Sequence, residues 1–314
     1  MRSAAQLITA IREHTDNDEF TQTAGTGAFT EGLSDDLFLE YLNDAQEYLQ
    51  SRIIAEFAQT FIAEEEISLT ADTELYTITG FPFMSNKVLN VEYSQDGNAR
   101  NYRDLPKRTW EDRDTSKSNI PEFYIRGKGG ILVNPIPRTT RGKIRVTYYE
   151  ALPKMALRAG ILDTYTEASS AISAISIDVT GVFTDPIDAE EFLTIVTKRG
   201  VVLEAAIGYS AYNSTTGDFT LSPTSHTRTK SDTITNAQDY VIPGEHSTSH
   251  SQLDDTCERY LKIYSQLRAF HKDSSIDEVT ENPILVKHEE DILDQYSQYD
   301  HDFIEIPVMD RQLI

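Results

Sequence analysis

At 314 residues the chain is long enough to bury a large core, in one large domain or two smaller ones. Its 51 acidic residues against 28 basic ones give a net charge of −23, which argues against a protein that wraps nucleic acid. An acidic surface repels phosphates, so it suits passage of DNA rather than its capture. The single cysteine, Cys257, excludes an intrachain disulfide framework and a thiolate-rich metal site. With no secretory signal and no apolar run of transmembrane length, we expect a soluble protein made in a reducing compartment.

The N-terminal part of the chain predicts two helices. Residues 4–14 have the spacing of a short helix, and Ser34 to Phe57 predicts a long helix with a single apolar face. Ser34 suits the N-cap, and Asp35 and Asp36 suit the positive end of the helix dipole. We expect this helix to continue to about Glu65. Its apolar face is expected to pack a helical bundle through Phe38, Tyr41, Leu42, Leu49, Ile53 and Phe57.

Beyond Glu65 the hydrophobic period changes to two, which predicts short strands of an antiparallel sheet separated by turns. Pro106 to Arg113 predicts a short helix around the only tryptophan, Trp110. The predicted strands lie near Ile67 and at Leu75–Ile78, Val88–Tyr93, Phe123–Ile125, Ile131–Val133 and Lys143–Tyr149.

Residues 163–245 differ in composition, being rich in Ser, Thr, Ala and Gly. Strand-like pieces occur at Ile175–Val179, Phe192–Val196, Val201–Ala206 and Asp218–Leu221. Short strands with turn signals between them predict a small all-β module inserted into the main fold. Ser222 to Asp239 is predicted to be an exposed loop.

The C-terminal part predicts helices again. Leu253 to Leu267 form an amphipathic face, and a second helix is predicted to begin at Asn282–Pro283, a cap residue followed by a proline. Acidic residues then dominate to Asp302, and the chain closes with an apolar, β-prone segment from Phe303 to Met309. A terminus usually frays unless something holds it, so we interpret this segment as a docking tail.

Motifs that would carry chemistry are weak in this sequence. The glycines at residues 25–27 and 127–130 fit neither a dinucleotide-binding nor a P-loop pattern. His246 and His250 have the i, i+4 spacing of a metal-binding pair, but the loop composition between them favours a solvated pair. Cys257 lies on an apolar helical stripe, where a small core side chain is expected. We therefore expect no enzyme activity, no cofactor and no metal site.

Three segments follow the capped helix in a characteristic order. These are PEFYI at Pro121–Ile125, GILVNPIP at Gly130–Pro137 and KIRVTYY at Lys143–Tyr149. The order resembles that of the head-to-tail adaptor (connector, or head completion) proteins of tailed bacteriophages, in which a Pro-x-x-Tyr strand, an apolar strand ending in Pro-x-Pro and a strand ending in Tyr follow one another. The resemblance covers residues 4–155 and again the helices after residue 250.

This resemblance implies a structural virion protein of the neck, assembled in the host cytoplasm. Such adaptors form a ring of about a dozen copies below the portal, which connects capsid to tail and leaves a channel for DNA ejection. The implied partners are the portal ring, tail, nozzle or tail-terminator proteins, and further copies of the chain. DNA would pass without sequence-specific binding, and no membrane is involved.

The resemblance also implies roles for two groups of residues. A C-terminal segment of such adaptors reaches the portal, which makes a portal-docking strip of Phe303, Ile304, Ile306, Val308 and Met309. If acidic helices line the channel, the candidate channel-lining acids are Glu289, Glu290, Asp291 and Asp294. Alternatively, these acids simply solvate a surface.

The predicted fold is therefore α+β: a helical bundle of the long N-terminal helix and the C-terminal helices, with an antiparallel sheet and an inserted small all-β module. The expected domains are an adaptor core at 1–160, the β module at 163–245, helices completing the bundle at 250–302 and the docking tail at 303–314. Two other functions remain open. One is a carbohydrate-binding or hydrolysing virion protein, in which Tyr209, Tyr212 and Phe219 stack sugars. The other is a minor capsid decoration protein.

Overall fold

The computed structural model describes residues 2–15, 34–57, 59–78, 88–97, 101–127, 130–179, 192–230, 232–270 and 279–302. The chain divides into two compact units. We call residues 1–57 together with 153–314 the terminal unit, and residues 58–152 the central unit. Among the described helices, none combines the length and the apolar character needed to cross a lipid bilayer.

Two helices open the terminal unit, α1 (Ala4–Thr15) and α2 (Asp35–Glu56). The predicted cap of α2 is confirmed, because the Ser34 hydroxyl accepts a hydrogen bond from the Leu37 backbone N–H at 3.2 Å. The predicted continuation of this helix to Glu65 is wrong. The helix stops at Glu56, and residues 62–68 form a strand in which exposed and half-buried side chains alternate. This period of two fits a strand rather than a helix.

The central unit is built from strands β1 to β10. They are β1 (Ile62–Ser68), β2 (Leu75–Tyr76), β3 (Val88–Ser94), β4 (Arg103–Asp104), β5 (Lys107–Arg108), β6 (Lys117–Ser118), β7 (Phe123–Gly127), β8 (Gly130–Asn134), β9 (Ile136–Pro137) and β10 (Lys143–Tyr149). One sheet has the order β1-β10-β3-β4 and a second has the order β2-β8-β7-β5. The β5–β7 and β6–β9 pairs are parallel, and the other pairs are antiparallel.

Alternating apolar residues form the core of the central unit. On β10, Ile144 and Val146 are fully buried, and their partners across the antiparallel pair are Tyr93 and Val91 of β3. Each such side chain contributes roughly 1.5–3 kcal/mol when it leaves water. The predicted strands at residues 88–93, 123–125, 131–133 and 143–149 are confirmed. The helix predicted around Trp110 is wrong, because only a three-residue 3₁₀ turn forms there, at Trp110–Asp112.

The terminal unit resumes with strands β11 to β19. They are β11 (Lys154–Met155), β12 (Gly160–Ala168), β13 (Ala171–Ile177), β14 (Phe192–Val196), β15 (Val202–Asn213), β16 (Asp218–Leu221), β17 (His226–Thr227), β18 (Tyr240–Pro243) and β19 (Ser247–Thr248). Six of them close into an antiparallel barrel, since β12-β18-β14-β15-β16-β13 is completed by the β12–β13 pair. β17 adds to β13, and β11 pairs with β19 in parallel.

The barrel interior is filled by branched aliphatic and aromatic side chains. Leu162, Leu193, Ile195, Ile207 and Val241 are each fully buried in one cluster. Register shifts in the β12–β13, β14–β15 and β15–β16 pairs let the strands bend around this core. Closure pairs the six strands with one another, so the barrel ring has no open edge.

Two helices complete the described part of the terminal unit, α3 (Glu258–Phe270) and α4 (Pro283–Asp302). The predicted start of α4 is confirmed, because the Asn282 side-chain oxygen accepts from the Ile284 N–H at 3.0 Å. On α3, Tyr260 and Tyr264 are fully buried and their rings stack with centroids 6.3 Å apart.

The predicted fold class is wrong. The described chain is mostly β, its largest element is the six-strand barrel, and the four helices do not form a bundle that organises the molecule. The discrepancy arises mainly at β12 and β18, neither of which was predicted. Together with β13, β14, β15 and β16 they turn a few short strands into a closed barrel.

Candidate functional site

The predicted docking strip falls outside the described residues. Phe303, Ile304, Ile306, Val308 and Met309 all follow Asp302, the last residue of α4. The structure does describe the candidate acids of α4. It also shows how charge is divided between the two units and where the central unit opens a cleft.

The four candidate acids of α4 have two different environments. Glu290, Asp291 and Asp294 are exposed to solvent. Glu289 is 7 % exposed and accepts a charge-assisted hydrogen bond from Nε of Arg52 on α2. Asp291 lies 3.9 Å from Nδ1 of His288, one turn earlier. The arrangement exposes three carboxylates of α4, one of them beside His288, whereas the fourth, that of Glu289, bonds Arg52 of α2.

Tyrosines surround the Arg52–Glu289 pair. The Tyr48 ring stacks on Tyr260 with centroids 6.5 Å apart. Burial, followed by the nearby Glu289 carboxylate, raises the pKa of Tyr48 above its ordinary value. Burial also raises the pKa of Tyr260 far above the ordinary range. These phenols therefore stay neutral. Their rings pack α2, α3 and α4 against one another.

The apolar face of α2 packs within the terminal unit. Five of the residues that we assigned to bundle packing are buried: Phe38, Tyr41, Leu42, Leu49 and Ile53. Phe57 is half-buried at the end of the helix and its ring stacks on Tyr296 of α4, with centroids 6.2 Å apart. The contacts of α2 include α1, α3, α4 and β11.

Net charge is divided unequally between the units. Residues 58–152 contain 13 acidic and 13 basic residues, so the central unit is neutral. The whole net charge of −23 therefore belongs to the terminal unit. A surface potential of this sign repels DNA phosphates over roughly 8–10 Å at physiological salt. Composition alone gives the total charge but not this division.

A polar cleft of about 790 Å³ opens in the central unit. Its lining includes three cations, Arg103, Arg141 and Lys143, and one acid, Asp96. Asp96 is engaged inside the unit by the Ser94 hydroxyl at 2.8 Å and the Asn101 amide at 2.7 Å. Two of the cations are also engaged within the unit, since Lys143 pairs with Glu66 at 3.3 Å and Arg103 donates to the Pro121 carbonyl at 2.8 Å. Among the described residues, no cluster of His, Cys, Asp and Glu could hold a metal.

Glu204 of β15 anchors the segment predicted to be an exposed loop. Its side chain is fully buried and accepts from the Thr229 hydroxyl at 2.7 Å and from the backbone N–H groups of Thr229 and Lys230. His226 lies 3.1 Å away through Nε2. Burial favours a higher pKa, but the hydrogen bonds from Thr229, His226 and Lys230 outweigh it and lower the pKa of Glu204. The buried carboxylate of Glu204 thus holds this segment against the barrel.

The aromatic residues considered for sugar stacking belong largely to the barrel core. Tyr209 and Phe219 are 6 % and 5 % exposed, and their rings meet edge to face at 5.3 Å. Tyr212 is partly buried and packs on Phe219 at 4.7 Å. Because a sugar needs an open aromatic face, these rings give a carbohydrate site no support.

Neither histidine of the considered metal pair is a solvated side chain. His250 is 8 % exposed, and burial followed by the Arg158 charge lowers its pKa to about 4. Burial also lowers the pKa of His246 to about 4. The predicted solvated pair is therefore wrong. Cys257 is fully buried, and burial raises the pKa of its thiol to about 11, which leaves it protonated.

A family model described as SU10 adaptor protein matches residues 2–178. No curated protein matches the chain. The matched range contains α1, α2, the central unit, and β11, β12 and β13. It includes the three segments at residues 121–125, 130–137 and 143–149 on which the resemblance was based.

Proposed function

This chain belongs to the SU10 adaptor protein family, a family of phage head-to-tail adaptors, and on that premise we propose that it forms a ring below the portal. The family supports a structural role and an association with portal and tail proteins in the virion neck. The ring, of about a dozen copies, would connect capsid to tail and leave a channel through which DNA passes. Nozzle or tail-terminator proteins would bind its other side.

The observation that carries the channel proposal is the charge on the terminal unit. All of the net charge of −23 belongs to this unit, and on α4 the side chains of Glu290, Asp291 and Asp294 are exposed. We place these three acids along the channel, where they would repel phosphates and let DNA slide. We leave Glu289 out of this set and assign it to packing between α2 and α4, because its carboxylate accepts a hydrogen bond from Arg52.

The proposed docking segment is the apolar C-terminal tail. Phe303, Ile304, Ile306, Val308 and Met309 make up residues 303–309 apart from Glu305 and Pro307, and an apolar stretch of this kind suits binding to a partner surface. The tail would hold each copy to the portal. Assembly would take place in the host cytoplasm, before the tail joins.

Mass photometry of the protein, alone and with its cognate portal ring, tests the proposal. We expect monomers alone and a complex of discrete stoichiometry on the portal. Deleting residues 303–314 should leave a folded monomer that no longer joins the portal. A truncated chain that assembles normally would refute the docking role, and a full-length chain that ignores the portal would refute the ring.

A charge variant tests the channel. Changing Glu290, Asp291 and Asp294 together to Lys should make the assembled ring retain a short DNA duplex at about 0.15 M salt, because phosphate attraction replaces repulsion. Fluorescence anisotropy of labelled DNA measures this retention. The matched control changes three other exposed acids of the terminal unit, Glu40, Glu47 and Glu56 of α2, to Lys. Equal retention by the two variants would contradict a channel position for α4.

A further inference from the structure

The excess of acidic residues lies entirely in one unit of the chain. The terminal unit holds 38 of the 51 acidic and 15 of the 28 basic residues, whereas the central unit is neutral. Every copy therefore carries a net charge of −23 on residues 1–57 and 153–314. Because a second copy carries the same charge, two copies repel one another as whole bodies.

The acidic residues of the terminal unit are spread over its surface rather than gathered into one site. Exposed acids occur on a helix, on two barrel strands and on a loop: Glu40 and Glu47 of α2, Asp163 of β12, Asp218 of β16 and Glu245 after β18. A charge distributed in this way acts on a neighbour at a distance set by the Debye length, without any specific contact.

Repulsion between carboxylates already operates within one copy. On α2, Asp44 follows Glu40 by four residues and precedes Glu47 by three, a spacing that brings the three side chains to one side of the helix. The pKa of Asp44 is raised by burial first and next by the charge of Glu40, and Glu47 raises it further. Arg268 and Lys154 oppose this rise without cancelling it. The nearby basic residues therefore do not neutralise this part of the surface.

The range of the repulsion depends on salt. The Debye length is about 30 Å at 0.01 M salt, about 10 Å at 0.1 M and about 3 Å at 1 M. At low ionic strength, a copy approaching its neighbour is repelled by most of the charge on that neighbour. At high ionic strength, only the residues close to the contact still interact. The free energy of bringing copies together should therefore become more favourable as salt is added.

We propose that ionic strength controls assembly of the ring, because mutual repulsion of the acidic terminal units keeps copies apart when screening is weak. This inference rests on the proposed ring, since only an assembly forces copies into contact. It gives the acidic charge a second role besides the repulsion of DNA. A copy that has not met the portal lacks contacts that offset the repulsion, so it stays a monomer.

Mass photometry of the chain titrated onto its cognate portal ring tests the inference, because it counts the copies on each portal. At about 0.02 M NaCl we expect partly filled portals, since the repulsion grows with every copy added. At about 0.3 M NaCl the chain concentration that half-fills the portal should be at least about tenfold lower.

The outcomes of this titration separate the inference from the proposed ring. A ring that fills equally well at both salt concentrations, or better at the lower one, overturns the inference and leaves the ring standing. A chain that forms no ring at either concentration refutes the ring, and the inference with it.

A neutralised variant shows whether salt acts through the charge of the terminal unit. The variant combines Glu40→Gln, Glu47→Gln, Asp163→Asn, Asp218→Asn and Glu245→Gln, all at exposed positions. Because the repulsion between two like bodies varies with the square of their charge, removing five charges from each copy lowers it by about 40 %. The variant should half-fill the portal at about 0.02 M NaCl at a concentration at least about fivefold below that of the unaltered chain.

The matched control exchanges Asp and Glu at the same five positions, which changes the side chains but keeps the charge. It should half-fill the portal at the same concentration as the unaltered chain, to within about twofold. Circular dichroism checks that both variants are folded. If the neutralised variant and the charge-preserving control fill the portal alike at low salt, the inference is overturned.

Discussion

Arg52 on α2 and Glu289 on α4 form an ion pair between residues 237 positions apart in the sequence. The Glu289 side chain is 9 % exposed and that of Arg52 is 42 % exposed. The carboxylate is therefore largely desolvated, whereas the guanidinium keeps contact with water. The stability of the fold depends on this pair, because a buried carboxylate that has lost its cationic partner raises the free energy of the folded state.

Glu289→Gln should lower the free energy of unfolding by about 1–2 kcal/mol, an amount limited by the exposure of Arg52. Glu290→Gln is the matched control, since Glu290 is the next residue of the same helix and is exposed. Its effect should stay within about 0.5 kcal/mol. Urea unfolding measures both variants. Equal effects would mean that the Arg52 pair contributes nothing to stability.

Glu204 should make stability depend on pH in the acid range. Its pKa is lowered from the ordinary 4.5, so the folded state favours the ionised carboxylate. The stabilisation is complete above the unfolded pKa and is lost as the pH falls through the folded pKa. Glu204→Gln should cost about 2–3 kcal/mol at neutral pH, because an amide NH₂ cannot accept the bonds from Thr229.

The same substitution should flatten the pH dependence below about pH 4.5. Thermal unfolding between neutral pH and pH 3.5 measures this effect. Asp163→Asn, at an exposed position of β12, serves as the control and should retain the slope of the unaltered chain. An unchanged slope in Glu204→Gln would show that other carboxylates govern acid unfolding.

Two tyrosines of the central unit should respond in opposite ways to loss of the hydroxyl. The Tyr76 hydroxyl donates to the Thr70 carbonyl at 3.0 Å and accepts from the Thr70 N–H at 3.1 Å. The Tyr93 hydroxyl is buried without a partner among the described residues. Tyr76→Phe should therefore destabilise by about 1–2 kcal/mol, whereas Tyr93→Phe should be neutral or stabilising. Chemical denaturation of the two variants compares them, and a loss in Tyr93→Phe would reveal an additional hydrogen-bond partner for that hydroxyl.

Cys257 should react slowly with iodoacetamide in the folded protein. It is fully buried, and burial raises the pKa of its thiol to about 11, so little thiolate is present near pH 8. Mass spectrometry should show alkylation at least about 100-fold slower than that of a free thiol. Complete reaction in about 6 M guanidinium is the control. Rapid labelling of the folded chain would indicate that the turn at Asp255–Cys257, just before α3, opens readily.

Local signals allowed several parts of the fold to be predicted. The cap at Ser34 and the helix start at Asn282 depend on side chains within a few residues of the helix, so sequence alone reveals them. The strand at residues 143–149 alternates clearly, and its Ile144 and Val146 are buried as expected.

Features that depend on distant partners were not predictable. β12 contains Asp163, Thr164 and Thr166, so it lacks an apolar pattern, and its pairing with β13 and β18 makes it a barrel strand. The partners of Arg52 and Glu204 are likewise set by tertiary packing. Trp110 is visible in the sequence as the only tryptophan, but its exposure is set by the tertiary fold.

The free edge of β1 has a consequence for the chain before it assembles. Within the part of the chain that the structure describes, β1 pairs only with β10, and it carries Glu64, Glu65 and Glu66 in succession. An uncovered strand edge can pair with the same edge of another molecule and start aggregation. Glu64 and Glu66 are ion-paired with Arg145 and Lys143 of β10, and an edge-to-edge pair would still bring the acidic side chains of two copies together, which disfavours it. Newly made copies would thus remain dispersed at high concentration until a correct partner becomes available.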